Sequence, residues 1–338
     1  MTGQVTATAL GDWPGTDPLE AAKAIRGELG APHLPVLAEL PDRGVGSDPV
    51  GRTASILADL HADVQPHGWR LVPQPGLDAA RAASALSTDL NVLADVAGDE
   101  ESSADALHVR VLGPLSLMAG LYLPSGERVL VDHGARRDVA QSLAAGLAPF
   151  LDRVGRAVPG ARLTVQLDEP DAARVLAGLL PTASGYRTLR SVPAEEARLA
   201  WGWAAEALHA AGAEAVVVNL AAWEAPIGRV LDAGADAVSL PVADLTVPQW
   251  EELAGAVEAG AGVWLGAVPH DAAARPRTRE LAERVLRPWR QLGLPLSALD
   301  AVRLTPVAGL AALRPAEATA LLTATVKAAD AVNQIALG

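Results

Sequence analysis

Short apolar runs recur along the chain, each separated from the next by a longer stretch with a helical pattern. The runs Val5–Leu10, Val36–Glu39, His108–Leu112, Leu163–Leu167, Ala215–Leu220, Ala237–Leu240, Val263–Gly266 and Val302–Thr305 predict eight buried strands. Helices are predicted between them over Pro18–Leu29, Ala135–Val158, Glu195–Ala211, Pro248–Ala259, Thr278–Leu292 and Pro315–Ile335. Parallel neighbours need a helix-length crossover, so this alternation predicts an α/β fold with a parallel sheet. Eight such units predict a (β/α)8 TIM barrel. A doubly wound open sheet is the alternative. Two pieces lie outside a minimal barrel: an extended segment, Trp69–Val72, before a helix over Leu77–Leu93, and Leu121–Val131, whose central PSG predicts an extra β-hairpin. The polar stretch Gly98–Ala104 reads as a mobile surface loop.

Composition narrows the picture. At 338 residues, 50% hydrophobic and 20% charged, the chain can bury one large core, and residues 1–338 are expected to form a single barrel domain. The net charge of −13 disfavours nucleic acid as a partner. Arg275, Arg277 and Arg279 are balanced by Glu280 and Glu283, which reads as a solvated helix start rather than a phosphate site. No apolar stretch is long enough for a membrane span, and the N-terminal residues lack the pattern of a signal peptide, so a cytoplasmic location is expected. The chain has no cysteine, which removes disulfides, thiol nucleophiles and thiolate metal ligands.

Candidate chemistry gathers at the predicted C-terminal ends of strands, where barrels place their active sites. Asp12, in the turn GDWPGTD after the first strand, is either a ligand contact or part of a plain turn. Glu39 ends the second strand and is either a ligand for an amine or a partner of Arg43 or Arg52. Ser116, in GPLSL, caps a helix or touches a ligand. Asp168 and Glu169, in VQLDEP, are the strongest pair. Adjacent strand residues point to opposite sides, so only one of them faces the axis, and an acid–base pair does not follow from adjacency. The seven histidines show no His-x-x-x-His spacing, and only His270 falls near the expected active face. Walker and GxGxxG phosphate loops and the nucleophile-elbow context are missing.

Taken in order, these segments resemble the C-terminal catalytic barrel of cobalamin-independent methionine synthase, especially its short single-barrel actinobacterial relatives. TATALGDWPGT resembles the family's TTTIGSFPQT, LAELPDR its HGEPER, GPLSL its GPVT, and VQLDEP its IQIDEP. GADAVSLP and RLTPVAGL are similar to its ADVISIE and WVNPDCGL. The resemblance covers nearly the whole chain and implies the barrel shared by methionine synthases and uroporphyrinogen decarboxylases.

The family transfers a methyl group from methylated folate to homocysteine, whose sulfur is bound by zinc. The resemblance puts Asn219, Ala221, Pro241 and Ala308 at the four zinc-ligand positions, so no metal is expected. Gly120 falls near the tryptophan that stacks on the pterin, so no folate cofactor is expected either. The family holds the amino group of homocysteine through the residues matching Glu39 and Asp168. Asp12 stands where the family has a serine that helps to hold the carboxylate, and its charge repels one.

These features predict a divergent barrel that binds a small amino-acid-like or other polar ligand at its C-terminal face without zinc-dependent methyl transfer. The catalytic residues, if any, are not identified. One alternative is a metal-independent enzyme on the same scaffold, with Asp12, Glu39, Asp168 and His270 as acid–base groups. Another is a structural role with a homodimer or partner protein. Trp201 and Trp203 are two apart on a predicted helix and cannot face the same core, which leaves one for an interface.

Overall fold

The computed structural model describes residues 3–99, 105–221, 227–271 and 276–337. Most of the expected loop at 98–104, and Arg275 of the arginine cluster, lie outside the described residues.

Ten strands and eleven α-helices are described: β1 (Thr6–Ala7), α1 (Pro18–Glu28), α2 (Pro49–Ala54), β2 (His61–Gln65), β3 (Gly68–Val72), α3 (Leu77–Gly98), β4 (Ala106–Leu112), α4 (Pro114–Gly120), β5 (Leu121–Tyr122), α5 (His133–Ala157), β6 (Arg162–Asp168), α6 (Ala172–Ala177), α7 (Ala194–Ala210), β7 (Ala215–Asn219), α8 (Ile227–Asp232), β8 (Ala237–Pro241), α9 (Val247–Glu258), β9 (Gly262–Val268), α10 (Thr278–Gln291), β10 (Val302–Pro306) and α11 (Pro315–Leu337).

Seven strands form one parallel sheet in the order β1-β10-β9-β8-β7-β6-β4. The segment 34–39 fills the gap between β4 and β1 as the eighth stave. The Leu34 N–H donates to the Ala7 carbonyl and the Glu39 N–H to that of Gly11, while the Leu37 and His108 amides bond across to His108 and Pro35. This stave makes only isolated bridges, Val36 to His108 and Asp12 to Glu39. Pro35 lacks an N–H, which interrupts any longer ladder. The strands are almost wholly buried because helices cover their outer face. Asp17 starts α1 by accepting from the Leu19 and Glu20 amides, with Pro18 at the first helical position. Arg277 stands at the head of α10, where its N–H donates to Glu280, in keeping with a solvated helix start.

The full hairpin does not fall where the sequence places it. β2 and β3 pair antiparallel across Pro66-His67, and β5 adds to β3 in parallel. Trp69–Val72 is therefore one arm of the hairpin. Leu121–Val131 contributes β5 and a single antiparallel bridge, Tyr122 to Arg128. The other arm, HADVQ, carries only one large aliphatic residue, too little for an apolar run to show.

The bore of the barrel changes character along its axis. At the N-terminal end, Leu34, Val217, Ala237 and Trp264 form a small apolar plug. Thr8, His108, Gln166, Ser239 and Thr305 follow, all buried. At the C-terminal end stand Asp12, Arg110, Asp168 and Asn219 around an open cavity. No helix among the described residues is long and apolar enough to cross a membrane.

Candidate active site at the barrel mouth

Seven strands or the loops that follow them shape a cavity of about 190 Å³ at the C-terminal mouth. Its wall includes Asp12 after β1, Arg110 of β4, Asp168 at the end of β6 and Asn219 at the end of β7. Ser239, Pro241, Thr305 and Ala308 complete it from β8, β10 and the loop after β10. An engineered apolar cavity of about 150 Å³ holds benzene, so this volume suits a molecule of about six to nine heavy atoms.

Arg110 organises the charged layer. Its Nε and Nη2 donate to one oxygen of Glu39 at 3.0 and 2.6 Å. Its Nη1 lies 3.1 Å from Asp168 and 3.4 Å from Asp12. Burial alone would lower the pKa of Arg110, but Glu39, Asp168 and Asp12 outweigh it and raise the value. Glu39 sits behind Arg110 and pairs through its other oxygen with Arg52, 3.2 Å away. Arg52 also pairs with Asp89, which Arg43 holds at 2.6 Å. The Arg52 partnership expected as one reading of Glu39 is present, and Arg110 adds a second guanidinium.

Asp168 faces the axis. One carboxylate oxygen accepts from Gln166 Nε2 at 2.6 Å and Asn219 Nδ2 at 2.7 Å, and the other meets Arg110. Burial raises its pKa, and Arg110, Asn219 and Gln166 oppose that shift. Asp12 is the least enclosed carboxylate of the layer; its second oxygen accepts from the Ala311 N–H at 3.2 Å. Gly309 carries no side chain, and a Cβ there would fall about 2 Å from the Asp12 carboxylate.

Glu169 points the other way and does not line the cavity. It is fully buried and accepts four hydrogen bonds: from the Leu115 N–H (3.0 Å), from the Ser116 N–H and hydroxyl (2.8 Å each), and from Trp201 Nε1 (2.7 Å). Its carboxylate thus caps the first turn of α4 from outside the helix. The Ser116 hydroxyl accepts in turn from the Asp171 N–H at the head of α6. Burial pushes the Glu169 pKa up to about 7 against these four bonds. Gly113 makes the approach possible, because a Cβ there would lie 2.4 Å from a Glu169 oxygen.

The five ligand-contact candidates therefore divide. Asp12 and Asp168 line the cavity, Glu39 stands behind Arg110, and Ser116 and Glu169 are bonded to each other outside the barrel wall. The four positions matched to metal ligands, Asn219, Ala221, Pro241 and Ala308, all line the cavity. Gly120 closes α4 against Val50 and does not line it. His270 Nε2 donates to the Ala308 carbonyl, 2.9 Å away, and does not line the cavity. Trp201 is buried at Glu169, whereas Trp203 is half-buried in a groove between α5 and α7.

Sequence reasoning missed Arg110, the residue on which the layer converges. The signal was available as a polar residue at every second position of a buried run: His108 and Arg110 on β4, then Thr164, Gln166 and Asp168 on β6. Such alternation marks the face that looks into the bore.

No family model matches this chain, and no curated protein does. Among solved structures, it is similar to a B12-independent methionine synthase from Shewanella sp. W3-18-1 in complex with selenomethionine. The TM-score is 0.62 at 12% identity, over 99% of each chain. It is also similar to a methyltransferase from Methanosarcina mazei, with a TM-score of 0.60 at 12% identity, over 97% of this chain and 94% of that one. At such identities the likeness is one of fold, and it agrees with the expected barrel.

Proposed function

We propose that this barrel binds a small polar molecule in its mouth cavity and does not perform zinc-dependent methyl transfer to a thiol. The observation that carries this reading is the cavity wall itself. The four positions that the family resemblance assigns to metal ligands meet in one place, and they present an amide, two methyl groups and a proline ring. Zinc at such a site needs thiolate, imidazole or carboxylate donors. Among the described residues, the carboxylates on the wall are Asp12 and Asp168, and Arg110 engages both. Among the described residues, no group of three or more His, Asp or Glu side chains is placed to hold a metal ion. The residues present therefore do not fit zinc.

The chain's own groups support recognition instead. Asp168 is fixed by Gln166 and Asn219, so its position does not depend on a ligand. Arg110 is immobilised by Glu39, and the paired charges form a rigid polar wall. Thermal-shift titration with homocysteine, methionine and methylated folate, each with and without zinc, tests the reading. A native-state ligand raises the melting temperature by mass action. Stabilisation by a small polar compound without zinc is the expected result; stabilisation only when zinc and homocysteine are both present contradicts it.

A metal-independent enzyme is the second reading. It is favoured by Asp168, a carboxyl group of raised pKa beside a guanidinium on the cavity wall. A bell-shaped pH dependence of turnover, abolished by Asp168→Asn, would be its signature.

A further inference from the structure

The flank of the barrel carries a second concavity, a groove of about 530 Å³ between α9 and α10. The half-buried Trp250 of α9 lines it, and so do Arg277, Arg279, Arg284 and Arg287 at the head and along the length of α10. Glu280 and Glu283 stand four residues before Arg284 and Arg287, the spacing and order best suited to ion pairs within a helix. Neither pair forms. Glu280 accepts the Arg277 N–H at the helix head, and Glu283 turns to Arg290, 3.5 Å away. Among the described residues, the side chains of Arg279, Arg284 and Arg287 make no ion pair or hydrogen bond, and that of Arg277 makes no ion pair. Other helical arginines on the surface do close such pairs: Arg81 with Asp78, Arg156 with Asp152, Arg198 with Glu195 and Arg314 with Glu317. The balance of charge that the sequence suggests is therefore not realised in this groove.

Four cations face two carboxylates here, in a chain whose net charge is −13. The guanidinium groups repel one another, and their local field draws anions to this face. A guanidinium grips phosphate through parallel N–H donors. Arg284 and Arg287 are three apart, so they are neighbours on the helix surface and suit adjacent phosphate groups. Arg277 lies ten residues before Arg287, about 15 Å along the axis, which extends the cationic row beyond the reach of a single phosphate. Trp250 adds a flat face on which a planar ring can stack.

We propose that the groove between α9 and α10 binds an organic polyphosphate, with its phosphate groups on Arg284 and Arg287 and a planar ring against Trp250. The site is separate from the mouth cavity and does not depend on the reading of that cavity.

The test is isothermal titration calorimetry on the intact chain at low salt, free of divalent metal, with ATP, inorganic triphosphate, adenosine and hexaglutamate as probes. ATP is expected to bind at one site per chain, about ten-fold more tightly than inorganic triphosphate, because the latter lacks the ring. Adenosine and hexaglutamate are expected to show no saturable binding. The double variant Arg284→Gln, Arg287→Gln is expected to weaken ATP about ten-fold or more without lowering the melting temperature of the ligand-free chain, since it removes repulsion and no ion pair. Trp250→Leu is expected to bring ATP down to the affinity of inorganic triphosphate. Equal affinity of ATP and inorganic triphosphate in the parent chain overturns the assignment of the ring and makes the groove a site for inorganic polyphosphate. Tighter binding of hexaglutamate than of ATP assigns the groove to an acidic peptide and overturns the proposal. Unchanged ATP binding in the double variant, or no saturable binding of ATP to the parent chain, overturns it as well.

Discussion

Asp168 and Glu169 are neighbours in sequence and differ in almost every physical respect. Asp168 looks into the bore, shares a guanidinium with two other carboxylates and forms part of a cavity wall. Glu169 looks outward, touches no guanidinium and holds three elements together through neutral donors on α4 and α7. The pleat of β6 separates them. The same residue chemistry therefore serves two purposes: the inner face presents a polar surface to a ligand, and the outer face fastens the helices to the barrel.

The comparison breaks most severely if the inner cation is removed. Arg110→Met leaves Glu39 and Asp168 buried without it, and the expected loss is about 3–5 kcal/mol in denaturant unfolding. A loss near zero would mean that water enters the bore and screens the layer.

On the outer side, Glu169→Gln replaces an acceptor oxygen with an amide group facing N–H donors. The expected cost is about 1–3 kcal/mol, with ligand binding at the mouth unchanged. A change in binding without a change in stability would place Glu169 in the site after all. Trp201→Phe removes one of the four donors and should cost less, about 1 kcal/mol, again without effect on the cavity.

The pH dependence sharpens the contrast. The folded pKa of Glu169, about 7, lies above its ordinary value of 4.5. Its contribution to stability is full below pH 4.5 and is lost as pH rises through 7. His108, in the bore, runs the other way: its folded value of about 3 lies below the ordinary 6.5, so its contribution is full above pH 6.5 and is lost as pH falls. Denaturation midpoints across pH 4.5–7 should therefore lose their alkaline-side decline in Glu169→Gln and keep the acid-side decline. A variant with the parent's profile would show that Glu169 titrates near its ordinary value.

The barrel was legible because its strands are continuous apolar runs between helical patterns, a signal that survives weak local propensity. That only one of Asp168 and Glu169 faces the axis followed from strand alternation; which of the two did not. Asn219, Ala221, Pro241 and Ala308 meet on one cavity wall. The convergence on Arg110 was not legible, because a guanidinium in an apolar run shows its partners only once distant strands are brought side by side. The arm β2 was missed for a related reason: it is short and polar, and pairing with β3 and cover from α3, rather than its own sequence, make it a strand.

The central claim is that the mouth cavity recognises a small polar molecule without a zinc–thiolate centre. Zinc binding to the purified chain, by equilibrium dialysis with metal analysis in the presence and absence of homocysteine, tests it most directly. The account predicts no retained zinc under either condition, since Asn219, Ala221, Pro241 and Ala308 supply no suitable donor set. One tightly held zinc per chain, bound more strongly when homocysteine is present, would contradict it.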